Sequence, residues 1–128
     1  MGIGPWEISE LAPPLVYDSI YKGKPSSFSA KVAYATAGEI QIELIEPHAG
    51  SSIFKDFLVK YGEGLHHIGF SADNIVETTR LMNKEGFPTL MSLSLGNGAI
   101  AYYDTFEPLK CVWKAFQAPD NTNPRTIN

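Results

Sequence analysis

Two adjacent histidines, His66 and His67, are the residues of this chain best suited to chemistry. They fall in an apolar run over residues 65–71 that predicts a β-strand. Because side chains alternate between the two faces of a strand, the two imidazoles are expected to point in opposite directions. His67 shares its face with Gly69, which leaves room for a ligand or a metal ion. We therefore expect His67 to face a cavity and His66 to pack against a helix.

Glu43 supplies a carboxylate on an earlier predicted strand, residues 39–45, where it shares the more polar face with Gln41. A carboxylate and an imidazole are both suitable ligands for zinc or another divalent transition metal. A lone strand histidine is nevertheless more often a structural residue, and a strand glutamate is usually solvated. Glu43 and His67 are thus candidate metal ligands, and Gln41 is a candidate substrate-binding residue.

Lys114 and Cys111 lie in the last predicted strand, residues 110–117. A lysine ammonium can anchor an anionic substrate or, with a pKa lowered by burial, act as a base, although most strand lysines reach solvent. Lys114 is therefore a candidate substrate-binding residue. Cys111 has no activating neighbour in the sequence, which favours a buried structural thiol.

Length and composition place these residues in a single globular domain. A chain of 128 residues that is 44% hydrophobic can bury a core of its own. The net charge of −4, with basic residues scattered along the chain, argues against a nucleic-acid partner. A single cysteine excludes an intrachain disulfide and fits the cytoplasm. No apolar run approaches the ~20 residues that span a bilayer, so no membrane association is expected.

The first part of the chain predicts three strands, over residues 6–11, 28–36 and 39–45. The last two form a hairpin around the turn Ala37-Gly38. Residues 15–27, rich in Tyr, Pro, Lys and Ser, are predicted to form a loop, which is either a lid over a ligand or an ordinary surface connection.

The second part predicts a strand, a helix and three more strands after a linking helix that Ser51 or Ser52 caps and Gly62 ends. The strand over residues 65–71 precedes a helix that reaches about Glu85. The last three strands are predicted over residues 89–95, 99–105 and 110–117, and residues 120–128 form a polar tail.

Four segments occur in a recognisable order: Gly2-Ile3-Gly4-Pro5-Trp6, Ile42-Glu43-Leu44-Ile45-Glu46-Pro47, Gly62-Glu63-Gly64-Leu65-His66-His67-Ile68-Gly69-Phe70 and Ala101-Tyr102-Tyr103-Asp104-Thr105. Together they resemble the vicinal-oxygen-chelate superfamily of glyoxalases, bleomycin resistance proteins and dioxygenases, in particular its methylmalonyl-CoA epimerase and glyoxalase-like branch. The resemblance extends to about Pro119.

The resemblance implies an α+β fold in which paired strand-helix-three-strand modules form a curved, mainly antiparallel sheet. Residues 1–119 would be one domain, with an incomplete first module in residues 1–50, a linking helix in 51–62 and a complete second module in 63–119. The first module is expected to lack its first strand and helix. Because a missing strand leaves an unpaired sheet edge, we expect a homodimer.

The resemblance also implies a chemistry. Family enzymes hold a divalent metal through one ligand from each of the first, fourth, fifth and eighth strands, and the metal stabilises the enolate formed when a proton is removed beside a carbonyl. Glu43 and His67 match the fourth-strand and fifth-strand ligands. The first-strand ligand has no counterpart in this sequence, and the eighth-strand glutamate aligns with Lys114, whose ammonium would repel a metal ion.

Two main functions therefore remain open. One is an isomerase or lyase that uses zinc, cobalt, nickel or manganese to act on a small carboxylate or thioester, with a further strand from a partner subunit or from upstream. The other is a metal-free protein that binds or sequesters a small molecule and retains a degenerate metal site. A fragment without activity of its own is a third alternative.

Overall fold

A computed structural model describes residues 2–119 and contains nine strands and three helices within that range. The polar tail predicted over residues 120–128 lies outside the described residues. In chain order the strands are β1 (Glu7–Leu11), β2 (Val16–Tyr21), β3 (Lys24–Pro25), β4 (Phe28–Ala37), β5 (Ile40–Gly50), β6 (His67–Ser71), β7 (Thr89–Leu95), β8 (Gly98–Tyr103) and β9 (Val112–Gln117). The helices are α1 (Ile53–Tyr61), α2 (Ile75–Lys84) and α3 (Phe106–Leu109).

The strands form two sheets. A three-stranded antiparallel sheet has the order β1-β4-β5, and a six-stranded sheet has the order β3-β2-β7-β8-β9-β6. All neighbours in the larger sheet are antiparallel except β6 and β9, which run parallel. The α+β class with curved, mainly antiparallel sheets is therefore confirmed, and β6-α2-β7-β8-β9 follow one another in the predicted order.

The prediction of a loop over residues 15–27 is wrong. The segment contains β2 and the short β3, and β2 pairs with β7 at the edge of the larger sheet. Asp18 and Lys22 adopt left-handed φ angles of 52° and 49°, and the register shifts between Tyr17 and Ile20. These interruptions break the period-two pattern by which a strand is recognised in sequence.

Both longer helices are capped at the N-terminus by a polar side chain. The Ser52 hydroxyl accepts a hydrogen bond from the Lys55 amide at 3.2 Å, and the Asn74 side chain accepts one from the Glu77 amide at 3.1 Å. Gly62, with φ of 78°, ends α1 as predicted. None of the helices within residues 2–119 is long and apolar enough to cross a membrane.

The main core lies between the inner faces of the two sheets and α1. Its buried members come from both sheets and from the helix: Leu11, Val16, Phe28, Ala30, Val32, Ile53, Phe54, Met91, Leu93, Ile100, Tyr102 and Val112. A smaller core under α2 joins Ala101, Tyr103 and Ala115 to Ile75, Met82 and Phe87. The candidate site residue His67 lies beside this core, with its ring centroid 5.5 Å from that of Tyr102.

Candidate functional site

Glu43, His67 and Lys114 come together in the structure although they lie on three different strands. Glu43 Oε1 lies 3.2 Å from His67 Nε2 and 3.9 Å from Lys114 Nζ. The side chains of Glu43 and His67 are each 11% exposed, and that of Lys114 is 18% exposed. The three charged or polar groups therefore form one largely buried cluster that retains contact with solvent.

Strand register explains the meeting of His67 and Lys114. In the parallel β6–β9 pair His67 lies opposite Val112 and Gly69 lies opposite Lys114, so both candidate side chains share a face. Gly69 has no side chain, and a Cβ there would lie 3.6 Å from Lys114 Cδ. The stem of Lys114 thus lies beside Gly69, on the face of β6 that carries His67.

Tyr34 and Tyr102 lie next to Glu43 and Lys114, and the sequence did not predict either tyrosine as a site residue. Tyr34 lies directly opposite Glu43 in the β4–β5 pair, and Tyr102 lies opposite Lys114 in the β8–β9 pair. Burial, followed by the charge of Glu43, raises the pKa of both phenols, so they stay neutral. Tyr34 could have been found by counting residues outward from the Ala37-Gly38 turn.

Glu43 is ionised at neutral pH. Burial alone would raise its pKa, but His67, the ammonium of Lys114 and the phenol of Tyr34 outweigh burial and lower the pKa to about 2. The charge of this carboxylate is therefore a permanent feature of the cluster.

The histidines do not occupy opposite faces as predicted. His66 Nδ1 lies 3.0 Å from His67 Nδ1 in hydrogen-bond geometry. Strand β6 begins only at His67, so the alternation rule does not hold for the residue before it. The predicted helix contact is present, because the His66 ring meets Phe54 and Phe57 of α1 at centroid distances of 5.3 and 5.2 Å. Burial, together with the nearby His67, lowers the pKa of His66 to about 4.

Gln41, the remaining predicted site residue, lies two residues from Glu43 on β5, opposite Thr36, and is exposed. It shares the strand face of Glu43 but lies nearer the turn that joins β4 and β5.

Two surface grooves lie away from this cluster. One of about 630 Å³ is lined by residues that include Pro13, Pro14 and Tyr17, and one of about 480 Å³ lies between α2 and β2 beside Ile20 and Val76. Neither groove is lined by Glu43, His67 or Lys114. The charged cluster is therefore the candidate site on chemical grounds, not because of cavity size.

Comparison with known proteins gives the class of the chain. Residues 1–103 match the model of the Glyoxalase/Bleomycin resistance protein/Dioxygenase superfamily, and the chain belongs to this superfamily. This confirms the predicted resemblance. The match covers most of the chain, including both the Glu43 and the His67 segments.

Two relatives add to this assignment. The uncharacterized protein YqjC of Bacillus subtilis (strain 168) is 39% identical over 54 residues, which are 42% of this chain and 39% of that protein. The solved structure of hypothetical protein BH1468 from Bacillus halodurans C-125 has a TM-score of 0.56 at 22% identity, over 73% of this chain and 70% of that chain. The second likeness concerns the fold alone.

The residues of the cluster do not complete the metal site of the superfamily. Glu43 Oε1 and His67 Nε2 are 3.2 Å apart, a separation that two ligands of one ion can have at bond lengths of about 2.0–2.2 Å. Within residues 2–119, however, no group of three or more His, Cys, Asp or Glu side chains is placed to hold a metal ion. The third charged group is a cation, Lys114, only 3.9 Å from the carboxylate oxygen. In the described part of the chain the donor set therefore does not fit a resident metal.

Proposed function

We propose that this protein binds a small anionic molecule without a resident metal ion, and that Glu43, His67 and Lys114 form the polar end of its binding site. The observation that carries the proposal is the Lys114 ammonium, 3.9 Å from the buried oxygen of Glu43. By the family resemblance, this positive side chain takes the position of the glutamate that serves as the eighth-strand metal ligand.

Electrostatics favours lysine over metal at this position. Two unit charges about 4 Å apart interact by roughly 4 kcal/mol at the effective dielectric constant of a protein surface, and a divalent ion doubles that figure. A metal ion held by Glu43 would meet this repulsion from Lys114, with only the carboxylate and one imidazole to offset it. Lys114 already balances the charge of Glu43.

The same ammonium suits an oxyanion. At 3.9 Å it is too far from Glu43 for a hydrogen bond, so its three N–H donors remain available to a ligand. Glu43, ionised and beside it, accepts a hydrogen bond from a hydroxyl or amine of the same ligand. A small carboxylate with a neighbouring hydroxyl group has the matching pattern of acceptor and donor.

A thermal-shift series tests this proposal. Small hydroxy carboxylates should raise the melting temperature of metal-free protein, and Lys114→Met should abolish the rise because it keeps the stem and removes the charge. Lys31→Met is the matched control, since Lys31 is a strand lysine exposed on β4. An unchanged shift in Lys114→Met would count against the proposal.

A second candidate function is a metal-dependent isomerase or lyase. It is favoured by Glu43 Oε1, which is buried, faces His67 Nε2 at 3.2 Å, and yet has no partner in hydrogen-bond geometry within residues 2–119. Such an oxygen is suited to a cation. This function needs further ligands from a partner subunit or from another segment, for zinc, cobalt, nickel or manganese. It predicts stoichiometric metal after reconstitution that both Glu43→Ala and His67→Ala remove.

We also propose a homodimer in the cytoplasm. Within the described range β5 pairs with β4 alone, and Ile8, Ile40 and Leu44 on the outer face of its sheet are 61%, 68% and 56% exposed. Pairing of an open edge with a second copy is a common remedy. Light scattering after size-exclusion chromatography should give twice the chain mass of 14.1 kDa, and a monomer mass at micromolar concentration would contradict it. The single, buried Cys111 fits a reducing compartment.

A further inference from the structure

We propose that the groove between α2 and β2 is a second binding site, which takes a small organic cation, namely an amine with an apolar body. The groove lies on the outer face of the larger sheet, and neither Glu43 nor Lys114 lines it. Its volume of about 480 Å³ is in the range of ordinary small-molecule sites. Binding there does not involve the charged cluster.

The floor of the groove is a row of side chains that crosses the strands. Ile20, Ser92 and Ala101 lie opposite one another on β2, β7 and β8, so they share one face of the sheet. Helix α2 covers one end of this row, where Ile75 packs against Ala101 and Ala115. Ser92 therefore lies between the covered end of the row and Ile20.

The walls of the groove are apolar and exposed. Ile20 on β2 is 36% exposed, Val76 on α2 is 77% exposed, and both residues line the groove. Burial of such surface against an apolar group is favourable because it removes both from water. The walls therefore favour a ligand with an apolar body, whatever charge the ligand carries.

A β-bulge in β2 places both Ile20 and a carboxylate at the groove. The register with β7 shifts between Tyr17 and Ile20, so β2 has two residues there where β7 has one. Ile20 consequently shares the outer face with Tyr17, three positions earlier. Asp18, within the bulge, has a left-handed φ of 52°, which aspartate and asparagine tolerate better than most residues. Conformations of this kind cluster at ligand-binding sites.

The charge of the groove selects a cation. Among the described residues that line it, Asp18 is the only charged one, and its carboxylate takes part in no ion pair within residues 2–119. Glu10, which lines the other groove, differs because its carboxylate lies 3.5 Å from His48. An ammonium can therefore bind Asp18 without displacing a cation of the chain. Ser92 and Ser94 also line the groove, and a hydroxyl oxygen accepts a hydrogen bond from an ammonium.

The test compares three probes of one shape, benzylamine, benzyl alcohol and benzoate, in proton–nitrogen correlation spectra of the full chain at pH 7. Benzylamine should shift amide signals of β2, β7 and α2. Benzyl alcohol should shift the same signals with an affinity about fivefold weaker, the factor expected for loss of a partly exposed ion pair. Benzoate should shift none of them. Equal affinities for the amine and the alcohol, or benzylamine shifts confined to other elements, would overturn the inference.

Variants separate the charge of the groove from its shape. Asp18→Asn removes the charge and tolerates the same backbone conformation, so it should bind benzylamine as weakly as wild-type protein binds benzyl alcohol. Asp104→Asn, exposed and outside the groove, is the matched control and should bind as the wild type does. Ser92→Leu should fill the floor and abolish binding of both probes. Unchanged benzylamine affinity in Asp18→Asn or in Ser92→Leu would overturn the inference. If either variant fails to fold, the three probes decide the question in wild-type protein.

A second copy of the chain is the alternative occupant of the groove. In that case dilution of the protein alone should shift the amide signals of β2, β7 and α2, and benzylamine should not. This result would overturn the inference. Signals that stay constant on dilution and move with benzylamine would support it.

Discussion

The two sheets of this protein differ in how completely they are covered. On the outer face of the larger sheet, α2 buries Ala101, Tyr103 and Ala115. The outer face of the smaller sheet has no such helix within residues 2–119, and Ile8, Ile40 and Leu44 are more than half exposed there. Among the described residues, the smaller sheet therefore has the less covered outer face.

The contrast extends to the strands that carry the site. Strand β9, with Lys114, has neighbours on both sides, β8 and β6, whereas β5, with Glu43, has only β4 among the described residues. Pro47, which has no backbone N–H, is tolerated in β5 for this reason. The cation of the site, Lys114, thus lies on a strand with a neighbour on each side. The anion, Glu43, lies on a strand at the edge of the described sheet.

The largest effect expected from this contrast is on stability. Tyr103→Ala removes a fully buried ring under α2, which bonds the Thr79 hydroxyl at 2.7 Å, and should lower the free energy of unfolding by about 3–5 kcal/mol. Ile40→Ala, on the uncovered outer face, should change it by no more than about 0.5 kcal/mol. Urea unfolding of both variants measures the difference. A comparable loss in Ile40→Ala would mean that another chain covers the face.

The next effect concerns the charge on the edge strand. The pKa of Glu43 is about 2, below its ordinary value of 4.5, so its ionised form stabilises the fold above about pH 4.5. That contribution, on the order of 3 kcal/mol, should disappear as the pH falls from about 4.5 to about 2. Glu43→Gln should lack this part of the acid transition. The exposed Glu39→Gln is the control and should unfold with the wild-type pH dependence.

An effect of similar size belongs to His66 beside the paired strand. Burial lowers the pKa of His66 from 6.5 to about 4. Between these two pH values the imidazole therefore binds a proton in the unfolded chain and stays neutral in the folded chain. Stability should therefore fall as the pH drops from about 6.5 to about 4, and His66→Asn should remove this slope. Unfolding curves across that range test the sign. A wild-type slope that the variant retains would place the titrating group elsewhere.

The sequence predicted all three strands of the smaller sheet, but only four of the six strands of the larger one, namely β6, β7, β8 and β9. Hydrophobic periodicity, helix-capping residues and helix-ending glycines predicted the segment β6-α2-β7-β8-β9. The arrangement of its elements in the fold came from the family resemblance. The hairpin of β2 and β3 was missed because Asp18 and Lys22 interrupt its pattern. The partner of β2 is β7, more than 60 residues away, and no local signal indicates that pairing.

The site was predictable in its members and not in its contacts. Glu43, His67 and Lys114 were named from residue type and family resemblance, but the distances among them depend on how the two sheets pack. The face of His66 was predicted wrongly because β6 begins one residue later than expected for alternation. Buried neighbours such as Tyr102 follow from the three-dimensional core alone.

We propose that Lys114 takes the place of a metal ligand in this protein. The most direct measurement is zinc binding by calorimetry in wild-type protein and in Lys114→Glu, which returns a carboxylate beside Glu43 and His67. We predict no stoichiometric binding in wild-type protein and about one zinc ion per chain in Lys114→Glu, lost again on adding Glu43→Ala. Stoichiometric zinc in the wild-type protein that Glu43→Ala abolishes would contradict the claim.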